Sequence, residues 1–349
     1  MTLAASPGRS EPTVPLNLFY QEPDLDRWLP LDRYPRRVVR RILRGAPRIL
    51  GQQRVFVNLC AGLDGLRVPY RVNDFAYTRR NPGELACIVG KPHVLDLESW
   101  ANPILFGASV FSHPAEDPGL LARRPVVRIL VPGEWMRAMF ALTYGGRVVH
   151  AWPVGIDTDR WAPAPGRARP IDLLVYEKVR WERARYGPEL IAPILEECAR
   201  RGLRVATLRY GAYREEEYED LLGRSRFMLF LCEHETQGIA YQQALSAGVP
   251  VLAWDRGGEW RDPAYHPHRV RFGPVTSVPY WDARCGERFL DAAAFPGALD
   301  RLLDRARAGE LHPRSYVLEH LTLERSALAY LDHVAAAERD AGVAAVGRS

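Results

Sequence analysis

The run Cys232-Glu-His-Glu-Thr-Gln-Gly-Ile-Ala-Tyr-Gln-Gln-Ala-Leu-Ser-Ala-Gly-Val-Pro-Val-Leu-Ala253 carries more information than any other part of the chain. An apolar stretch, Phe227 to Leu231, precedes it and reads as a buried strand. The acids Glu233 and Glu235 fall in the loop that follows. Gly238 then opens a helix over Ile239 to Ala247, Gly248 closes it as a C-cap, and Val249 to Ala253 reads as the next strand. The start of such a helix, at Gly238, Ile239 and Ala240, presents unpaired N–H groups and a positive dipole end, which suits a phosphate. Gly238 lets the backbone come close to that ligand. A carboxylate at Glu235 would repel a phosphate unless it had another task, and accepting hydrogen bonds from sugar hydroxyls is one. Gln243, about one and a half turns into the helix, has an amide that can both donate to and accept from a ribose hydroxyl.

Outward from this run the same alternation continues. Ile171 to Tyr176 and Arg204 to Leu208 read as further strands. Leu190, Ile191, Ile194, Leu195 and Cys198 share one helix face, and Glu215 to Arg224 reads as another helix. In the first half, Val55 to Leu59, Ala86 to Val89, Val126 to Val131 and Val148 to Trp152 are expected as strands. Strands alternating with helices predict α/β architecture with parallel sheets. A Pro- and Gly-rich segment, residues 153–170, has little that could pack and reads as a linker. The expected organisation is therefore residues 1–152 as one domain, 153–170 as linker, 171–312 as a second domain and 313–349 as C-terminal helices and tail.

The Cys232–Ala253 run resembles the donor-binding motif of retaining GT-B glycosyltransferases: Glu, seven residues, Glu, then a small-residue Gly-x-Pro-Val ending. Glu235 matches the first acid, Gly238 the motif glycine, and Gly248-Val249-Pro250-Val251 the ending. Gln243 stands where that family has its second Glu, which keeps hydrogen bonding to ribose and removes a charge. Asp172-Leu-Leu-Val-Tyr-Glu-Lys-Val-Arg180 resembles the strand after which the family places its pyrophosphate-gripping cations, Lys178 and Arg180 here. Fixed cations there would stabilise the nucleoside diphosphate as it leaves. Val131-Pro-Gly-Glu-Trp-Met-Arg-Ala-Met-Phe140 and Trp152-Pro-Val-Gly-Ile-Asp157 also resemble the family. The resemblance implies two Rossmann-like domains facing a cleft, with C-terminal helices packing back on the first. It implies glycosyl transfer from a nucleoside diphosphate sugar, as co-substrate, with retention and without a tightly bound cofactor or required metal. The acceptor would be a glycan, a lipid or a small molecule. An epimerase of the same fold and a non-catalytic sugar-nucleotide binder are the alternatives; the latter is motivated by Gln243.

Weaker signals surround this core. Tyr210, at the C-terminal end of a strand, is placed to pass near the nucleotide base. His113, in Ser112-His113-Pro114, is a catalytic candidate for orienting an acceptor hydroxyl, with a structural role as the other reading. Gly62-Leu-Asp-Gly65 is a candidate acceptor-side loop or a plain turn. Thr276-Ser-Val-Pro-Tyr-Trp-Asp282 either lines the cleft or anchors a loop. Asp157-Thr-Asp159 and Asp24-Leu-Asp26 spell a pattern that holds divalent metal in other glycosyltransferases, but both sit in irregular segments.

The composition limits the alternatives. At 349 residues, 47% hydrophobic, the chain suits two domains. No apolar run approaches the roughly 20 residues of a membrane span, and Met1 to Pro15 lacks signal-peptide character, so a cytoplasmic location is expected. The five cysteines are scattered without a CxxC pair, which argues against a zinc site or disulfide framework. The net charge of +5 is concentrated at Arg33, Arg36, Arg37, Arg40, Arg41, Arg44 and Arg48. With Val38, Val39, Ile42 and Leu43 between them, a helix there would be basic and amphipathic, suited to peripheral contact with the inner membrane face or to simple solvation. No recognised nucleic-acid module is present, and no nucleic-acid partner is expected.

Overall fold

The computed structural model describes residues 14–22, 51–108 and 111–342. The basic stretch from residue 33 to 48 and the Asp24-Leu-Asp26 pattern lie outside the described residues, as does the end of the tail. The chain divides into two compact units. One comprises the described part of Met1–Val131, with Phe140–Trp152 and the described part of Ala327–Ser349; the other comprises Pro132–Met139 and Pro153–Ser326.

The first unit is built on six parallel strands: β1 (Leu16–Phe19), β2 (Tyr70–Val72), β3 (Ala86–Ile88), β4 (Ile104–Phe106), β5 (Val126–Val131) and β6 (Val149–Ala151). Their order is β2-β1-β3-β4-β5-β6. The helices of this part of the chain are α1 (Gly51–Gly65), α2 (Phe75–Arg80), α3 (Leu120–Arg123) and α4 (Glu134–Tyr144).

Two expectations are corrected here. Val55 to Leu59, read as a strand, lies inside α1, where Val55, Leu59 and Leu63 are buried at a spacing of four residues. The short apolar run fitted both periods, and burial follows the helical one. Gly62 to Gly65 is accordingly the last turn of α1 and not a glycine loop. The strand at the start of the unit is instead β1, only four residues long and wholly buried.

The second unit carries five parallel strands: β7 (Ile171–Lys178), β8 (Val205–Arg209), β9 (Ser225–Cys232), β10 (Val251–Trp254) and β11 (Gly286–Phe289). They are ordered β11-β10-β9-β7-β8. Between and after them run α5 (Arg183–Tyr186), α6 (Ala192–Arg200), α7 (Glu215–Gly223), α8 (Ile239–Ser246), α9 (Phe295–Arg307), α10 (Pro313–His320) and α11 (Leu323–Asp340), of which α11 belongs to the first unit from Ala327 on.

Alternation along β7 explains why it lies inside. Leu174 and Tyr176 enter a core shared with Tyr218 of α7, Tyr241 and Leu245 of α8, and Val317 of α10. Leu173 and Val175 enter a second core with Ile194 and Cys198 of α6 and Leu299 and Leu302 of α9. A strand covered on both faces reads as an unbroken apolar run, and each fully buried leucine contributes on the order of 2 kcal/mol. Pro193 comes just after a π-helical turn, Gly187–Ile191, that continues α5 into α6, so the expected late helix start is replaced by an irregular turn inside one continuous helical stretch.

Two local features position the site. Gly155 passes so close to the start of α11 that a Cβ would meet Leu323 Cα at 2.7 Å; Ile156 N–H donates to Leu321 O at 2.7 Å beside it. Between β10 and β11 there is no crossover helix. Residues 255–285 form an irregular segment with one short turn of 3-10 helix at its end. A connection of that length is uncommon and tends to serve a site.

Candidate functional site

In the second sheet the chain runs from β7 outward to β8, then returns past β7 to β9. The connections leaving β7 and β9 therefore diverge, and a crevice opens at the C-terminal ends of those two strands. Lys178 is the last residue of β7, and Glu233 to Glu235 follow directly on β9, paired with it through Lys178 and Cys232. The parallel register alone thus brings together residues 57 positions apart.

Lys178 Nζ and Glu235 Oε2 form a close ion pair, with side chains 14% and 10% exposed. The ammonium also lies 4.5 Å from the centre of the Tyr210 ring. Burial pulls the Lys178 pKa down, but Glu235, Cys232 and Tyr210 together raise it above its ordinary value. Lys178 is therefore a fixed cation. Glu235 is held by three further contacts: its N–H donates to Thr276 O at 3.0 Å, its carbonyl accepts from Trp135 Nε1 at 2.9 Å, and its Oε1 accepts from Thr236 N at 3.0 Å.

Gly238 caps α8 in the left-handed region, φ +74°. A Cβ there would lie 2.0 Å from Tyr241 Cε1 and 3.1 Å from Glu235 Cγ, so no other residue fits without displacement. Ile239 and Ala240 open the helix. Gln243 is 8% exposed, and its side-chain amide has no hydrogen-bond partner among the described residues. Neither amide atom is sealed from solvent, so both stay free to donate to or accept from a ligand.

The structure thus brings Lys178, Tyr210, Glu235, Gly238, Ile239, Ala240 and Gln243 to one region, the end of β7, the end of β9 and the start of α8. Arg180 follows Lys178 by two residues. It is exposed and has no ion-pair partner among the described residues; its guanidinium lies 5.8 Å from the Trp181 ring. His113 belongs to the first unit. Its Nδ1 accepts from Ala115 N at 2.9 Å, so the ring caps the short helical turn at Pro114–Glu116. Asp157 Oδ1 accepts from Arg160 N at 2.9 Å, as an ordinary turn residue does.

Several contributors carry no sequence signal. Glu233 is 4% exposed. Its carboxylate accepts from Arg180 N at 2.8 and 3.1 Å and from Trp181 N at 2.9 Å, tying the loop after β7 to the loop after β9. His234 sits among Trp181, Trp135 and Trp260, with ring centres 4.6, 5.7 and 6.5 Å away. Burial, then the charges of Arg256, Lys178 and Arg180, push its pKa down to about 3, so the imidazole is neutral. These aromatics come from three separate stretches of chain, and only the fold gathers them. Thr276, by contrast, was singled out in the sequence, and its carbonyl and hydroxyl join Glu235 to Asp255.

The fold is α/β with two parallel-sheet units, and it is the GT-B fold of glycosyltransferases. AviGT4, a glycosyltransferase of avilamycin A biosynthesis, is similar to this chain at 15% identity and a TM-score of 0.50, covering 83% of this chain and 91% of its own. The GtfA/B complex gives 13% identity and a TM-score of 0.48 over 76% of this chain, which spans 60% of the GtfA/B chain it matches. Sucrose-phosphate synthase from Thermosynechococcus elongatus gives 14% identity and 0.48, covering 82% and 81%. Identities this low show a shared fold alone. No protein-family model matches the chain. No curated protein matches it either.

Proposed function

We propose that this protein transfers a glycosyl unit from a nucleoside diphosphate sugar to an acceptor, with retention of anomeric configuration. The observation that carries this reading is the placing of Lys178 and Glu235 at adjoining strand ends, beside the glycine-opened start of α8. Lys178, Arg180 and the first amides of α8 bind the diphosphate and take up the charge it gains on leaving. Glu235, barred from the phosphates by its charge, orients the sugar hydroxyls. Gln243 holds the ribose, and Tyr210 lies beside the base. The leaving phosphate assists the incoming hydroxyl, so no protein base is needed and no metal is required for charge neutralisation. The acceptor is a glycan, a lipid or a small molecule. We place the reaction in the cytoplasm; the five thiols, all free, accord with a reducing compartment. No described helix is long and apolar enough to cross a membrane.

Incubation with a labelled nucleotide sugar, with and without candidate acceptors, tests the reading. Label should pass to acceptor or slowly to water, with the anomeric configuration kept. Lys178→Gln should lower turnover by roughly 10²–10³-fold, the loss seen when one donor to a developing oxyanion is removed. An inverted sugar nucleotide formed without acceptor, or full activity in Lys178→Gln, contradicts it.

A further inference from the structure

We propose that the first unit binds a neutral sugar at the ends of β1 and β3, where Glu22 and Lys91 together grip two adjacent hydroxyls. The inference rests on the transfer reading above, in which this sugar is the acceptor, and it narrows the acceptor to one chemical class.

The topology gives the place. From β1 the chain passes to β2 on one side of it, and β3 then pairs with β1 on the other. The connections therefore diverge at the C-terminal ends of β1 and β3, and open parallel sheets bind ligands at such a point. β1 runs on into Tyr20, Gln21 and Glu22, and β3 into Val89, Gly90 and Lys91. Lys91 Nζ meets Glu22 Oε2 at 3.3 Å, with side chains 21% and 46% exposed, so one ion pair joins the two strand ends.

The backbone around this pair is strained. Among the described residues, Arg67, Asn73 and Lys91 are the only ones other than glycine with positive φ. Two of the three stand here. Lys91 has φ +50°. Asn73, at φ +56°, follows β2 and clasps the Tyr20 backbone: Oδ1 accepts from Tyr20 N at 3.0 Å and Nδ2 donates to Tyr20 O at 2.8 Å. Tyr20 is buried and stacked on Phe56 of α1, with ring centres 4.9 Å apart, and its hydroxyl donates to Glu22 Oε1. A positive φ is unfavourable for lysine, and such strain persists where the surroundings enforce it and a site uses it.

What the pair leaves open decides the ligand. Each Glu22 oxygen keeps a lone pair beyond its contact with Tyr20 or Lys91, and the Lys91 ammonium keeps two of its three donors without a further partner among the described residues. Acceptors and donors thus lie side by side. Two neighbouring sugar hydroxyls, each able to donate and accept, match them. The pair carries no net charge, and His93, two residues on, is held toward its neutral form by burial and then by Lys91. An anionic ligand gains no free cation from it, and a single alcohol uses only half of it.

Saturation-transfer NMR of the intact protein with the methyl glycosides of glucose, galactose, mannose and rhamnose reads this site without any donor. One or more should bind, and methyl glucuronide should bind no more tightly than they do. Glu22→Gln and Lys91→Gly should each weaken binding at least tenfold. Lys91→Gly should do so without lowering the melting temperature, because glycine accepts the positive φ. In the wild type, mono-deoxy forms of the bound glycoside should lose at least tenfold at two adjacent positions. No binding by any of the four, tighter binding of the glucuronide, or a loss below threefold in the folded variants or at every deoxy position overturns the assignment. The nucleoside diphosphates are titrated separately. Nucleotide binding without glycoside binding contradicts this site alone, and glycoside binding without nucleotide binding contradicts the transfer reading.

Discussion

Glu235 and Lys178 neutralise each other in the unliganded site, and a diphosphate arriving there competes with Glu235 for the ammonium. Removing the carboxylate therefore has opposite effects on two measurements. Glu235→Gln should strengthen binding of the free nucleoside diphosphate severalfold, because Lys178 is no longer shared. The same change should lower turnover, because the sugar loses the acceptor that orients its hydroxyls. It should also lower stability by about 3 kcal/mol, since a mostly buried ammonium is left unpaired; denaturant melts without ligand read that loss. Diphosphate affinity that falls together with turnover would contradict the roles given to the pair. Gln243 offers a second test. Gln243→Leu should weaken donor binding by on the order of 1–3 kcal/mol, and Gln243→Glu should change it by no more than about tenfold. Both should act on the Michaelis constant more than on turnover, because ribose contacts are alike in ground and transition states. Saturation curves for the donor that are the same in Gln243→Leu and wild type would make Gln243 a spectator.

At the scale of elements, the start of α8 depends on one residue without a side chain. Gly238→Ala forces a Cβ against the Tyr241 ring at a left-handed position, and Tyr241 is buried and bonded on both sides to the Tyr280 backbone. A cost of at least about 2 kcal/mol is expected from the backbone strain and the displaced ring together. A melt showing less than half of that would mean the turn relaxes easily. Glu233 joins two other elements. Its carboxylate holds successive amides of the loop after β7, so it fixes where Arg180 starts its reach toward the phosphates. Glu233→Gln keeps the size but turns an N–H toward an N–H. The Michaelis constant for the donor should rise several-fold while the reaction at saturation changes less; an unchanged Michaelis constant would leave Glu233 a purely structural clasp.

Which elements were legible follows from the same physics. β5, β7 and β9 each bury a long run, and parallel strands covered on both faces leave an apolar signature that needs no periodicity to see. β1, β2 and β4 span three or four residues and show no such run. The Val55–Leu59 stretch invited a strand reading because Val55, Phe56 and Val57 favour strands, and only the longer spacing to Leu63 reveals the helix. Glu235, Gly238 and Gln243 were readable because one local motif holds them. Glu233 and the ring cluster around His234 were not, since their partners lie on other loops and meet them only once β7, β9 and β10 are aligned.

Over the whole molecule, each unit carries a histidine that folding keeps neutral. Burial, then His150 and Arg128, push His333 down to about 4 in the first unit, and His234 is pushed down to about 3 in the second. Both folded values lie below the ordinary histidine value of roughly 6.5. The unfolded chain therefore takes up protons that the folded chain refuses once the pH drops through that value. The stabilisation is complete above about pH 7 and is lost progressively toward pH 4 for His333 and pH 3 for His234. Melting temperatures should fall between pH 7 and pH 5, and His333→Gln, His234→Gln or both should flatten the fall. A pH profile that is the same in the double variant would assign acid sensitivity to other groups.

The claim that organises all of this is that the crevice between the ends of β7 and β9 binds a nucleoside diphosphate sugar. A thermal-shift panel of nucleoside diphosphates and their sugars, run on wild type and Lys178→Gln, tests it most directly. A ligand at 100 times its dissociation constant adds about 2.7 kcal/mol of stability. One base should raise the wild-type melting temperature by several degrees, and Lys178→Gln should abolish most of that rise while remaining folded. A panel in which no nucleotide stabilises the wild type, or in which Lys178→Gln is stabilised as much as the wild type, would contradict the account.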